Sequence, residues 1–309
     1  MTGAAWPRTA VMGAGAVGCY FGGMLARAGA PVTLLGRAAH VEAIARDGLF
    51  LDTLRFRQQI PVAASTDLAA ARGAEIVLFC VKTPDTETAA KSLAPNLSRG
   101  AVVVSLQNGV DNVERIREAS GIEAIAAVVY VACAMTAPGR LQHSGRGDLI
   151  VGDLLGKGRS GDLGRIAAMF ARAEVPCRVS ANIDGELWAK LILNCAFNAV
   201  SALGRSRYGP AAQNPWTHQV IRAVVEEAVA VAGAAGIRLP DANMVEAAWK
   251  LAQAMENATS STAQDLARGK RTEIDALNGQ VAARGAQLGV PTPVNRTLHA
   301  LVKLLEESV

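Results

Sequence analysis

Apolar and polar positions along this chain follow two regimes that meet near residue 181. Before that point, short apolar runs of strand length alternate with helical stretches. Residues 9–12 read as a strand, 16–28 as a helix stopped at Gly29, and 31–35 as a second strand. Residues 49–63 read as two β runs turning around Asp52 and Thr53. The runs 75–81 and 101–105 are almost continuously apolar, the mark of strands buried on both faces. Gln107-Asn108-Gly109 then signals a turn. Residues 123–133 are again strand-like, and further β segments are expected at 140–143, 148–152 and 175–179. Strands alternating with helices predict parallel βαβ units. Beyond residue 182 the period changes to helical, with helices expected over 183–203, 216–235, 243–265 and 272–288 and no convincing strand. The fold expected is α/β: a dinucleotide-binding domain of Rossmann type over 1–181, joined directly to an all-helical domain over 182–309. The cleft between two such domains is a favoured place for a substrate.

Composition narrows the function classes. A chain of 309 residues suits two domains. Half of it is hydrophobic and 19% charged, and the net charge is only +4. Its longest basic cluster is Lys270-Arg271, too short for a nucleic-acid tract. Cys19, Cys80, Cys133, Cys177 and Cys195 are scattered, without a C-x-x-C pair, which argues against a disulfide framework. His40, His143, His218 and His299 show no metal-ligand spacing, so no metal is expected. No secretory signal and no membrane-length apolar run is evident. The expected setting is the reduced cytoplasm, with a small-molecule substrate, no nucleic acid and no membrane. The Ala- and Val-rich helical half leaves a homodimer open.

The first chemistry-bearing motif is Gly13-Ala14-Gly15-Ala16-Val17-Gly18, a G-x-G-x-x-G run. The pattern alone is weak in a glycine-rich chain. Its position between a strand and a helix is what the binding of a pyrophosphate at a helix N-terminus requires. Gly13, Gly15, Ala16, Val17 and Gly18 are therefore candidate cofactor contacts. An NAD-type site usually carries an acid at the end of the second strand, for the ribose 2′-hydroxyl. Here the chain reads Gly36-Arg37, with no acid until Glu42. Arg37 suits a 2′-phosphate, which favours NADPH, although a solvated surface arginine would read the same way. Lys82 and Asn108 each follow a buried strand, at the carboxyl edge where open parallel sheets bind ligands. A solvated lysine and a plain Asn-Gly turn are the competing readings.

The helix expected over 183–203 is apolar almost all round, so it should be buried. Its central polar residues are Lys190, Asn194 and Asn198, spaced i, i+4, i+8 on one face, with Glu186 one turn earlier. Buried polar groups need partners and a buried amine needs pairing. The stripe is either a satisfied seam between helices or the wall of a site with one titratable amine. Such an amine can protonate an oxygen while a hydride reaches the adjacent carbon. Downstream, Ser260, Ser261 and Thr262 form a second polar cluster. Thr272 and Asp275 suggest a capping box, which would make Glu273 only a favourable first-turn acid.

These segments together resemble the ketopantoate reductase family, a branch of the 6-phosphogluconate dehydrogenase-like group. The likeness covers nearly the whole chain. It runs through the Gly-rich motif, Val81-Lys82, Gln107-Asn108-Gly109-Val110, Pro138-Gly139-Arg140-Leu141-Gln142-His143-Ser144-Gly145 and Trp188-Ala189-Lys190-Leu191-Ile192-Leu193-Asn194. It closes on Ser260-Ser261-Thr262-Ala263-Gln264-Asp265 and Thr272-Glu273-Ile274-Asp275-Ala276-Leu277-Asn278-Gly279. The resemblance implies NADPH-dependent reduction of 2-dehydropantoate to pantoate, a step toward pantothenate and coenzyme A. It makes Lys190 the catalytic lysine and Glu273 the acid that works with it, against the first-turn reading of Glu273. It places Asn108, Asn194, Asn198 and Ser261 against the substrate, and Arg37, Lys82 and Asn108 on the cofactor side. The alternatives are a relative that reduces another 2-keto acid and a non-catalytic NADPH-binding sensor.

Overall fold

The computed structural model describes residues 5–308. By contacts the chain separates into two compact units. The first comprises Met1–Gln107 and Asp111–Ile183; the second comprises Asn108–Val110 and Asp184–Val309.

The first unit holds ten strands in one sheet. They are β1 (Thr9–Met12), β2 (Val32–Leu35), β3 (Leu49–Asp52), β4 (Arg57–Ile60), β5 (Ala63–Ser65), β6 (Ile76–Phe79), β7 (Val102–Ser105), β8 (Ile125–Ala137), β9 (Arg140–Gly152) and β10 (Cys177–Val179). Their order is β4-β3-β9-β8-β7-β6-β1-β2-β5, with β10 also pairing β9. Helices α1 (Ala16–Arg27), α2 (Ala38–Asp47), α3 (Thr86–Leu93), α4 (Asn112–Ser120) and α5 (Ser160–Arg172) fall between strands. This is a Rossmann-type architecture, and its centre is parallel: β1 pairs in register with β2 and β6, and β6 with β7. Every residue of β6 and β7 is buried, as their unbroken apolar sequences require.

Of two antiparallel pairs, the first is the hairpin that the two β runs over 49–63 suggest, and only the second departs from the parallel expectation. β3 and β4 form a hairpin, and β8 runs against β9. Only Pro138 and Gly139 separate β8 from β9, far too few residues for a parallel crossover. Gly139 makes the turn at φ +68°. The segments expected separately at 140–143 and 148–152 are one strand. The ladder continues through register shifts, with Arg146 and Gly147 at positive φ, so a bulge replaces the expected break.

The second unit is helical: α6 (Ile183–Leu203), α7 (Tyr208–Gln213), α8 (Pro215–Ala234), α9 (Met244–Ala254), α10 (Ser261–Ala267), α11 (Asn278–Leu288) and α12 (Pro293–Glu306). Its core gathers Ile192, Cys195 and Phe197 of α6 with Val224, Ala228 and Val231 of α8, Val281 of α11 and Val302 of α12.

Two expected helices are broken. The helix expected over 243–265 ends at Ala254 and resumes at Ser261. The intervening carbonyls serve other elements: Glu256 O accepts from Gly209 N and Ala258 O from Tyr208 N, while Ser260 Oγ caps α10 through Ala263 N. The helix expected over 272–288 begins as a 3-10 turn (Ile274–Ala276) and becomes α-helical only at Asn278, after Leu277 at φ −110°, ψ −106°. The capping box of Thr272 and Asp275 does not form. Asp275 instead accepts from His299 Nε2 at 2.7 Å and Lys303 Nζ at 3.0 Å. No helix among the described residues is long and apolar enough to cross a membrane.

Candidate active site

In the first unit, the register of β1 with β2 and β6 aligns their carboxyl ends, so Gly13, Gly36 and Cys80 lie along one edge. The turn after β1 is tight because glycine permits it. Gly13 sits at φ +111°, and a Cβ there would lie 2.9 Å from the Cys80 carbonyl and from Val81 N. A Cβ on Gly18 would fall 2.1 Å from Gly13 O. Gly15 is different: it is exposed, and nothing stands within 4 Å of an added Cβ. The backbone thus closes on itself at Gly13 and Gly18 and leaves an open cradle at Gly15.

Gly15 is also the N-cap of α1. It supplies no capping side chain, and the first turn carries no acid. The amides of Ala16, Val17 and Gly18 begin the helix, where N–H groups have no intrahelical acceptor and the dipole end is positive. These residues fit the pyrophosphate of a dinucleotide.

Arg37 is exposed at the N-cap of α2, one residue beyond Gly36. Its guanidinium makes no hydrogen bond or ion pair with a described residue, so it is open to an anion. Lys82 is exposed two residues past Cys80 on the same edge. At the carboxyl ends of β6 and β7 lies a buried polar network that no sequence pattern signals. Gln107 Nε2 donates to Val81 O at 3.1 Å and to Thr86 Oγ1 at 2.7 Å, and Ser105 Oγ donates to Gln107 Oε1 at 3.0 Å. One side chain thereby ties the ends of β6 and β7 together, immediately before Asn108.

In the second unit, α6 carries Lys190, Asn194 and Asn198 on one face, as the spacing predicts. Lys190 Nζ donates to Asn108 Oδ1 at 2.8 Å, and Asn108 Nδ2 donates to Glu273 Oε2 at 3.0 Å. The carboxamide therefore links the amine to the acid, and all three side chains are half-buried.

One turn further along α6, the half-buried Asn194 side chain makes no hydrogen bond with a described residue. Its donor and acceptor remain available. Asn198 is buried and accepts from Tyr208 Oη at 3.3 Å, while its Nδ2 donates to Ser261 Oγ at 3.4 Å. Burial pushes the Tyr208 phenol up to about 12, so it stays a neutral donor. Ser261 is exposed at the start of α10. Its neighbour Ser260 is buried and fastens α10 to α6 by donating to Asn198 O at 3.1 Å. Two clusters thus form on α6: Lys190 with Asn108 and Glu273, and Asn198 with Ser261 and Tyr208. Tyr208 was not foreseen; an isolated tyrosine after a helix end carries no signal of its partner.

Comparison with known proteins identifies the family of this chain. Residues 9–156 match the profile of the family described as ketopantoate reductase PanE/ApbA, and residues 182–306 match its C-terminal domain. The 2-dehydropantoate 2-reductase of Pyrococcus horikoshii is 35% identical over 296 residues, covering 96% of both chains. A PanE/ApbA family ketopantoate reductase of Ralstonia eutropha shares 50% identity at a TM-score of 0.91, over 97% of this chain and 99% of that one. The 2-dehydropantoate 2-reductase of Geobacter metallireducens shares 28% at 0.90, over 96% and 99%. With both halves matched in order and relatives alike over nearly their full length, this chain belongs to the ketopantoate reductase family.

Proposed function

We propose that this protein reduces the ketone of 2-dehydropantoate to the alcohol of pantoate with NADPH, serving pantothenate and coenzyme A synthesis. The observation that carries the reading is the Lys190–Asn108–Glu273 relay in a chain of this family. The first domain, 1–181, is the cofactor domain in this reading, and 182–309 supplies the substrate and catalytic residues.

NADPH, when bound, supplies the hydride for the ketone carbon. Gly13, Gly15, Ala16, Val17 and Gly18 would hold its pyrophosphate, Arg37 its 2′-phosphate, and Lys82 and Asn108 its nearer parts. Lys190 works at the ketone oxygen, where negative charge develops. Its ammonium stabilises that charge and transfers one proton from Nζ, giving the alcohol. Solvent then restores the proton. Glu273 acts through Asn108: the carboxylate fixes the carboxamide, and the carboxamide fixes the amine. Orientation of this kind contributes because small misplacements of a proton donor cost rate steeply. Asn194 and Asn198 would bind the substrate's hydroxyl, and Ser261 its carboxylate.

The test is loss of NADPH absorbance with purified protein and 2-dehydropantoate, run beside NADH and a panel of other 2-keto acids. Turnover on 2-dehydropantoate that falls sharply in Lys190→Ala supports the reading. Turnover only on a different keto acid would move the assignment to that substrate. Tight NADPH binding with no turnover on any member of the panel would favour a sensor.

A further inference from the structure

Glu273 is the N-cap of the short 3-10 turn Ile274–Ala276, an insecure support for a side chain whose direction matters. The backbone around it is held from α12. Thr272 N donates to Glu306 Oε1 at 2.7 Å, and Thr272 Oγ1 donates to the same oxygen at 2.6 Å. That hydroxyl also accepts from Ile274 N at 3.2 Å, closing a loop around Glu273. Lys303 Nζ stands 2.8 Å from Glu306 Oε2 and 3.0 Å from Asp275 Oδ2. His299 Nε2 meets Asp275 Oδ1 at 2.7 Å.

The spacing of His299, Lys303 and Glu306 is i, i+4, i+7, so the three share one face of α12. That face grips the chain on both sides of Glu273, through Thr272 before it and Asp275 after it. The grip differs from ordinary surface pairing. Thr272 is buried, and the Glu306 side chain is only 10% exposed. A carboxylate so placed is costly unless its oxygens are satisfied. Burial raises the Glu306 carboxyl, but the bonds from Lys303 and from the Thr272 hydroxyl and amide outweigh it and hold it below the usual carboxylate range.

We propose that Glu306, with Lys303 and His299 behind it, is a positioning residue for catalysis: it fixes the Thr272–Ile274 turn so that Glu273 meets Asn108. The inference rests on the role given to Glu273 above. Glu306 touches neither substrate nor cofactor in this account; it sets where a catalytic carboxylate points.

The test compares Glu306→Ala, Glu306→Gln, Thr272→Val and Glu273→Ala in the full-length protein. The readouts are kcat, KM for 2-dehydropantoate, NADPH affinity by fluorescence and thermal melting. Glu306→Ala should lower kcat by about 10- to 100-fold, the loss expected for a catalytic group misplaced by about an ångström, with NADPH affinity unchanged. Glu306→Gln keeps an acceptor oxygen for Thr272 and should recover most of that kcat. Thr272→Val should lower kcat in the same direction, and it gives the answer if Glu306→Ala does not fold. A Glu306→Ala or Thr272→Val protein that turns over at the full rate while Glu273→Ala is impaired overturns the inference. Full turnover by Glu273→Ala would instead remove the reading of Glu273 on which it rests.

Discussion

Asn108 accepts a hydrogen bond from Lys190 Nζ at 2.8 Å through Oδ1 and donates through Nδ2 to Glu273 at 3.0 Å. The two partners fix which way the amide faces, because an ammonium only donates and a carboxylate only accepts. No other residue type of this size offers one donor and one acceptor side by side. Asn108→Asp would set a second carboxylate against Glu273, and Asn108→Ala would remove the link. Both should lower kcat by about 100-fold or more. Aspartate should be the worse in single-turnover reduction, since it adds like-charge repulsion against Glu273 to the lost donor. Equal kcat in wild type and Asn108→Ala, with normal melting, would show that the relay has no catalytic weight.

Arg37 decides cofactor preference if its exposed guanidinium receives the 2′-phosphate. A hydrogen bond to a charged group is worth about 1.5–3 kcal/mol. Arg37→Ala should therefore raise KM for NADPH by about 10- to 100-fold and leave KM for NADH nearly unchanged. Parallel titrations with the two cofactors read this directly. A uniform loss for both would assign Arg37 to general electrostatics, and no loss for either would return it to the solvated surface.

The sequence made some of this site legible and hid the rest, for physical reasons. Lys190, Asn194 and Asn198 stood out because helical periodicity places them together on an otherwise apolar helix, and α6 occupies the expected span. The Gly-rich turn was legible because strand, turn and helix are contiguous. Glu273 was not legible from pattern. Its partner Asn108 lies 165 residues away in sequence, and the local reading favoured a first-turn acid. The break between α9 and α10 was hidden likewise. Local periodicity runs on, but the backbone of 256–260 is bound by Tyr208, Gly209 and Ser201, and the Ser260 hydroxyl donates to Asn198 O. Long-range hydrogen bonds of this kind override local helical preference.

Tyr208 orients Asn198. Its hydroxyl donates to Asn198 Oδ1, which turns Nδ2 toward Ser261. Its ring stacks on Phe197 with centroids 4.8 Å apart. Tyr208→Phe keeps the stack and deletes one neutral hydrogen bond, worth about 0.5–1.5 kcal/mol. KM for the keto acid should rise by about 3- to 10-fold, with KM for NADPH unchanged. An unaltered KM for the keto acid would mean that the Asn198 amide is held well enough by Ser261 alone.

The thiols set an alkaline limit on stability. Burial pushes Cys133 and Cys177 up to about 12, and Cys19 to about 12 through burial and then the neighbouring Cys133. Burial also raises Cys80 and Cys195 well above their ordinary range. In the folded chain these groups stay protonated where an unfolded thiol, near 9.0, already ionises. The unfolded state then binds fewer protons than the folded one, so stability falls as pH rises. The thiol contribution is complete below about pH 9 and is lost progressively toward about pH 12. Urea midpoints should hold steady from about pH 7 to 8.5 and decline above about 9. A Cys133→Ala, Cys177→Ala double variant should show a shallower decline from its own starting value. At about pH 8 the native thiols should resist alkylation, because a group with a value near 12 is thiolate only about once in ten thousand molecules. Rapid labelling of native Cys133 or Cys177 at that pH would contradict this account, as would a midpoint that stays level to about pH 10.5.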